Sequence, residues 1–476
     1  MNILLVKPQA RLSTILGLQR FQLLEPLELG YLAAAVDPRH EVRILDLRLT
    51  RRPDQALLRA LRERRPDLVG FTGYTHEASI VVRLARLVRE RLPGATIVVG
   101  GHHATVEPGD FNLPCIDLIV RGEGCGPFAA IVAALARGER PAGIPAVLRA
   151  GDDYDPAAAA GWPSFPDPAV LPTPRRDLWN PESYRSVWAA ESMQPWTSIF
   201  PKVATVRSSF GCKMKCSFCV VPHLSGGQHR PRPVEQVVAE IAAAPADHIY
   251  FSDDETFMDE DFAWSLAEAL ERHGVRKHYF AWARSTTVMR SPELLRRWRT
   301  IGLDAAFLGF EFPTNAELKQ VTKGGNVAAN EHALDALRAI GVAVHAGFMV
   351  RPEYGHDEFT RLRDYVRALP PSQSSFTVYT PSPGTPDYAR LRSGFWVDNP
   401  HELHDCMHPL TPTTLPLREF SRRFADQARE GIAHTPLRVA RHPIPPRDMW
   451  RVWRAERAYY RGFRHSYRDY PRELWD

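Results

Sequence analysis

The first 150 residues alternate between short, continuously apolar runs and longer amphipathic stretches, and this alternation restricts the fold more than any other feature of the chain. The runs are NILLV (2–6), EVRILDL (41–47), DLVGFTG (67–73), TIVVGG (96–101) and IDLIVRGEG (116–124), with helical patterns over 26–36, 53–64, 77–92 and 127–137. A strand that is apolar on both faces needs cover on both. Helices between the strands supply that cover, so residues 1–150 are predicted to form an α/β domain with a doubly wound, Rossmann-like parallel sheet. Such sheets bind ligands beyond the carboxyl ends of their strands. Those ends carry Pro8-Gln9, Thr72-Gly73-Tyr74, Gly100-Gly101-His102-His103 and Gly122-Glu123-Gly124. Glycine there lets backbone approach a large ligand. A plain turn explains any one of these segments; four such strand ends together favour a site.

Residues 151–200 change character, with a proline every few residues and no sustained period, and read as a linker held to the surface by Trp162, Phe165 and Trp179. A second alternation follows over 201–394. Strands are expected at 203–208, 248–252, 279–283, 305–310, 343–349 and 375–379, with helices at 233–243, 260–273, 291–301, 327–340 and 356–368. Six βα units fall short of the eight that close a barrel, so a partial (β/α)6 barrel with a lateral mouth is predicted. Residues 395–476 lack the alternation and read as mainly helical.

Composition narrows the function classes. No window approaches the ~18 consecutive apolar residues of a spanning helix, and MNILLVKPQAR reads as a first strand rather than a signal peptide. Sixty basic against 55 acidic residues leave a mild net charge of +5, which does not call for a nucleic-acid partner. Six cysteines in 476 residues make no disulfide framework. A reducing cytoplasm fits, and clustered thiols then become metal or redox candidates.

Three of the six are clustered. Cys212, Cys216 and Cys219 in FGCKMKCSFC have the spacing C-x3-C-x2-C, just after the first strand of the second alternation. Structural zinc takes four closed ligands, and His223 is the one near candidate for a fourth. A fully ligated [4Fe–4S] cluster takes four thiolates. Three thiolates leave one iron open to a substrate or cofactor.

This spacing, with Phe218 before the last cysteine, resembles the signature of the radical S-adenosylmethionine (SAM) enzymes, over roughly residues 203–390. The resemblance implies a [4Fe–4S] cluster on the three cysteines and S-adenosyl-L-methionine chelated at the open iron, split to methionine and a 5′-deoxyadenosyl radical. It also implies a six-unit partial barrel and an electron donor such as a flavodoxin or ferredoxin. By position, it further implies that Asp253, Asp254 and Glu255 at the second strand's end grip the SAM amino group. Arg284 after the third strand would pair with the SAM carboxylate, Glu311 after the fourth would hold ribose hydroxyls, and the loop TPSPGTP (380–386) would close over adenine. A doubly wound domain ahead of such a barrel is similar to the cobalamin-binding group of that superfamily. Thr72, Gly73, Tyr74, Gly100, Gly101, His102, Gly122, Glu123 and Gly124 would then line the corrinoid. The D-x-H-x-x-G motif that supplies a lower cobalt ligand elsewhere is absent, so neither His102 nor His103 is assigned that role.

The strand-end loops of the first 130 residues most resemble the hopanoid C-3 methylases. The expected activity is therefore methyl transfer to an unactivated carbon of a small, lipid-like substrate, with no nucleic acid involved. The alternatives are a cobalamin-dependent oxidative cyclase of tetrapyrrole type and a non-catalytic corrinoid or Fe–S sensor. A tRNA methylthiotransferase would need a second cysteine trio, and Cys115, Cys125 and Cys406 are too scattered for one. In the tail, Trp450, Trp453, Tyr460, Phe463 and Tyr467 recur near helical spacing among Arg447, Arg451, Arg454, Arg461 and Arg468. This is either an aromatic stripe packed on the barrel or an amphipathic helix at the inner membrane face.

Overall fold

In the computed structural model the described residues are 1–151, 167–190, 193–433 and 443–476. Trp162 and Phe165 of the linker lie outside them. The chain forms two compact units: Met1–Arg11 with Pro26–Asn180, and Leu12–Glu25 with Pro181–Asp476.

The first unit is a six-stranded sheet of β1 (Asn2–Lys7), β2 (Glu41–Asp46), β3 (Leu68–Thr72), β4 (Thr96–Gly100), β5 (Leu118–Val120) and β6 (Val147–Arg149). Its order is β2-β1-β3-β4-β5-β6, parallel throughout except for β6, which runs antiparallel to β5 at the edge. Alternation explains the two layers. Leu4 and Val6 pack with Leu57, Leu61, Val81 and Leu84 of helices Pro53–Arg64 and Ala78–Arg91. Ile3 and Leu5 point the other way, to Leu29, Ala33, Phe128 and Ile131 of helices Leu27–Ala35 and Cys125–Ala136. The connection reverses direction between β1 and β3, which makes the crevice beyond their carboxyl ends the natural ligand position.

The second unit is built on six parallel strands: β7 (Val203–Val206), β8 (His248–Phe251), β9 (His278–Ala283), β10 (Leu303–Glu311), β11 (Ala343–Val350) and β12 (Gln373–Val378). They follow chain order from one edge to the other, and β7 and β12 do not pair, so the barrel is open. The outer strand faces (Val206, Phe251, Tyr279, Leu308, Phe348) merge with helix residues such as Leu266, Trp298 and Leu337 into the main core. The inner faces form a separate aromatic cluster with Trp188.

Two segments from outside the predicted barrel complete this unit. Residues 12–25, which directly follow the first strand's loop, belong here rather than with the first sheet: Leu23 and Gln22 pair with Arg185 and Ser186. The tail supplies helices Leu417–Ala433 and Pro446–Arg464, whose Phe420, Phe424, Tyr459 and Phe463 enter the main core. Gly431 sits so close to β12 that an added Cβ would lie 2.6 Å from the Ser374 carbonyl oxygen. No helix among the described residues is long and apolar enough to cross a membrane.

Candidate active site

The cysteine loop leaves β7 through a tightly determined turn. Gly211 has φ +85°, and a Cβ there would overlap the Gln228 carbonyl oxygen, so glycine is obligatory. Asp254 holds this turn: its Oδ2 accepts from Gly211 N at 2.8 Å and from Arg207 Nη2 at 2.6 Å. Asp253 is buried and accepts from Ser208 N (2.7 Å), Ser209 N (3.0 Å) and Ser208 Oγ (2.6 Å). Burial pushes its pKa up, to about 6. Asp253 thus spends both oxygens, and Asp254 its Oδ2, on the segment that presents the thiols.

Cys212, Cys216 and Cys219 are all free thiols, Cys216 fully buried and the other two half-buried. Burial raises the pKa of Cys212 and pushes Cys219 up to about 12, so both are neutral thiols until a metal takes the proton's place. Arg284 Nη1 approaches Cys216 Sγ at 3.7 Å, and its Nη2 donates to the Lys323 carbonyl. Three free thiols on one loop, with the Arg284 guanidinium against Cys216, fit an iron–sulfur cluster.

Around them lie groups whose hydrogen-bonding capacity is unspent. Glu255 is buried; its Oε1 accepts from Arg284 N at 3.4 Å, while Oε2 has no partner among the described residues. Burial pushes its pKa up to about 7. Arg284 Nε is buried and unpartnered among the described residues, as are Nε and Nη2 of Arg351, which follows β11 and stacks on Phe312 and Tyr379 at 4.7 and 5.1 Å. Glu311 ends β10 at φ +64°, unusual for a side-chain-bearing residue. Its Oε1 accepts from Lys323 Nζ at 2.6 Å. Buried donors and acceptors left open at the strands' carboxyl ends fit a zwitterionic ligand such as SAM.

Phe218 packs against Tyr379, centroids 6.4 Å apart, in a cluster with Leu318, Val321 and Met349. The 380–386 loop folds onto the cysteine loop: Ser217 Oγ and Tyr379 OH both donate to Asp387, the former at 2.7 Å. Gly384, at φ +84°, lies against the His223 ring. Lys323, Arg351 and Asp387 carried no motif signal; lone residues after strands or in loops have none.

Below the strand ends the inner barrel face is aromatic. Tyr250 stacks on Phe280 at 4.7 Å, Trp282 lies tilted against Phe307 at 4.4 Å, and Phe307 meets His345 at 5.1 Å. Burial holds His345 down to about 4, so its imidazole is neutral, and Nε2 has no partner among the described residues. The floor is Trp188, whose Nε1 donates to Asp304 at 2.9 Å.

In the first unit, the predicted strand-end residues cluster beyond the carboxyl edge of β1, β3, β4 and β5. Gly101 has φ +95°, and a Cβ there would lie 2.5 Å from Thr72 Oγ1. Gly73 accepts from His103 N through its carbonyl, 3.1 Å. Tyr74 is half-exposed, with Lys7 Nζ 4.9 Å from its ring centre and His102 tilted against it at 5.7 Å. Gly122 N donates to Thr105 Oγ1 at 3.0 Å, and Glu123 Oε1 accepts from Cys125 N at 3.3 Å, ahead of Gly124. His103 is buried and engaged with Thr75 and Asp110. A side-chain-free cradle flanked by an exposed aromatic ring at the topological switch point fits a broad, flat corrinoid.

Comparison with known proteins agrees with both units. Residues 13–132 match the B12 binding domain family and residues 206–366 the radical SAM superfamily. A hopanoid C-3 methylase of Methylococcus capsulatus is 28% identical over 413 residues, 86% of this chain and 76% of the relative. An anaerobic magnesium-protoporphyrin IX monomethyl ester cyclase of Synechocystis is 25% identical over 70% of this chain and 65% of the cyclase. Among solved structures, the radical SAM methyltransferase TsrM from Kitasatospora setae superposes with TM-score 0.63 and 17% identity over 90% of this chain and 88% of its own. The cobalamin-dependent SAM radical enzyme OxsB gives 0.59 at 17% identity over 87% of this chain, which spans 58% of OxsB. At these identities the structures speak for the fold.

Proposed function

We propose that this chain, whose residues 13–132 match the B12 binding domain family and 206–366 the radical SAM superfamily, is a cobalamin-dependent methyltransferase acting on an unactivated carbon of a hydrophobic small molecule. One observation carries the reading: the three-thiol loop stands above a barrel interior walled by Tyr250, Phe280, Trp282 and Phe307. The interior is aromatic, and burial holds the His345 imidazole down to about 4, a weak base, so the cavity suits an apolar substrate better than one whose carbon must first be deprotonated. When bound, the cluster with SAM supplies a hydrogen-abstracting radical, and cobalamin supplies a transferable methyl group.

The protein's part is positioning. Cys212, Cys216 and Cys219 hold the cluster and leave one ligand position for SAM. Glu255 Oε2, with Arg284 and Arg351, meets the amino and carboxylate groups, and Glu311 with Lys323 faces the ribose. Asp253 and Asp254 fix the loop. Tyr74, His102 and the glycines at 73, 100, 101, 122 and 124 border the corrinoid with Thr72 and Glu123. The aromatic wall orients the substrate and excludes water.

The substrate proposed is a hopanoid, methylated at C-3, on the strength of the strand-end loops and the methylase relative; an electron donor of flavodoxin or ferredoxin type completes the set. Anaerobically reconstituted protein with cobalamin, SAM and a reductant should form 5′-deoxyadenosine and S-adenosylhomocysteine together. Deoxyadenosine without homocysteine would favour the cyclase reading, for which the cyclase relative speaks, and neither product would favour a sensor. Loss of a methylated lipid series from a deletion strain, by mass spectrometry, tests the hopanoid assignment.

A further inference from the structure

The helix Pro446–Arg464 is held rigidly by one face. Ala455, Tyr459 and Phe463 are buried. An added Cβ at Gly462 would lie 2.8 Å from the Ser13 carbonyl oxygen, and one at Gly17 2.8 Å from Tyr459 Cα, so this helix and Ser13–Leu18 touch backbone to backbone. Asp448 pins the first turn by accepting from Ile199 N at 2.9 Å. The helix cannot roll, and its outer face is fixed outward.

That face carries Arg447, Met449, Trp450, Trp453, Arg454, Arg457, Arg461 and Arg464, all exposed, and no exposed carboxylate. Trp450 is 58% exposed, Trp453 53% and Met449 50%, and Trp196 (63%) adjoins them through its N–H to the Pro443 carbonyl at 2.9 Å. Four of the nine large exposed hydrophobic residues described thus gather at one helix end. None of the five arginines pairs with an acid among the described residues, whereas Arg418, Arg423 and Arg429 on the neighbouring helix do. Arg454 lies 4.5 Å over the Trp450 ring and Arg457 5.5 Å over that of Trp453.

From this arrangement we infer that the outer face of Pro446–Arg464 docks on an anionic lipid bilayer. Indoles and a thioether at headgroup depth with guanidiniums reaching phosphates are the composition of an interfacial helix, and at ~1.5 Å per residue it can lie along the surface over several lipid headgroups. The partner's charge follows from the uncompensated arginines. Nucleic acid fits less well, because Arg454 and Arg457 each lie over one face of Trp450 and Trp453 and leave less of the rings for base stacking. The inference does not depend on the substrate proposed above and is read without turnover.

The test is co-sedimentation of the full chain with vesicles of phosphatidylcholine alone or with about one-third phosphatidylglycerol. Pelleting with the anionic vesicles only, weakened by salt, is expected. Trp450→Ser with Trp453→Ser should lower partitioning at least about tenfold, and Arg454→Glu with Arg457→Glu by a similar factor or more, since each cation counts for roughly fivefold. Melting temperatures should stay unchanged, because these side chains pack on nothing in the core. No pelleting, equal pelleting with neutral vesicles, or undiminished binding by the tryptophan variant would overturn the proposal. So would loss in that variant of oligonucleotide retention or of a dimer peak, which would assign the face to nucleic acid or to a second copy.

Discussion

Replacing Asp254 by alanine separates two roles for the acids after β8. In the structure Asp254 Oδ2 takes a hydrogen bond from Gly211 N and an ion-paired one from Arg207, with the two side chains only 20% and 29% exposed. A charge-assisted bond contributes ~1.5–3 kcal/mol and a backbone one ~0.5–1.5; partial solvent access trims the sum to ~2–3 kcal/mol. Gly211 sits at φ +85°, and a glycine is free to leave that conformation once the hydrogen bond that fixes its N–H is gone. The loss therefore falls on the loop, and a penalty of ~2–3 kcal/mol lowers the population that presents three thiols together by roughly 30- to 150-fold. Asp254→Ala should load with markedly less iron and sulfide on anaerobic reconstitution, read by metal analysis and the cluster's visible absorption. Its affinity for SAM per assembled cluster should be unchanged. Full cluster loading with weakened SAM binding would refute the anchoring role and restore Asp254 to the SAM amino group.

Two further outcomes follow from packing and charge. At Gly347 an added Cβ would overlap the Phe307 ring, so Gly347→Ala should push that ring into the barrel interior. The expected result is a several-fold fall in methylated product at little-changed SAM cleavage without substrate, with a stability loss of ~1–3 kcal/mol; equal product formation would place the substrate elsewhere. At His408, burial works to lower the pKa, but Asp405 and Asp469, at 2.9 and 3.1 Å, outweigh it and hold the pKa up, at about 9. Because the folded value exceeds the unfolded one of about 6.5, this ion-paired histidine stabilises fully below pH ~6.5, and the contribution, on the order of 3 kcal/mol, disappears as pH rises through ~9. Thermal melts from pH 6 to 10 should fall more steeply for the wild type than for His408→Gln, and parallel curves would contradict the pairing.

The repeated alternation made both parallel sheets legible, because apolar runs flanked by helices leave a strand few other places to go. The three-cysteine loop stood out by its spacing alone. Other features depend on partners distant in sequence. Residues 12–25 pair with 185–186, Trp188 meets Asp304 to floor the barrel, and β6 adds antiparallel to β5; no local pattern distinguishes these from ordinary loop. The acids at 253–255 show the same limit within the site. An acidic run at a strand end looks alike whether it faces a ligand or backbone N–H groups, and only the coordinates separate Asp253 and Asp254 from the open oxygen of Glu255. Arg351 and Lys323 were invisible because a single cation has no period. The tail's aromatic stripe divides: Phe463 and Tyr467 are buried, while Trp450 and Trp453 face out.

The central claim is that the three thiols hold a cluster with one iron left for SAM. Electron paramagnetic resonance of the anaerobically reconstituted, reduced protein, recorded with and without SAM, tests it most directly. A [4Fe–4S] signal whose shape changes when SAM is added is predicted. A signal indifferent to SAM, or zinc in place of iron with the same three cysteines bound, would contradict it.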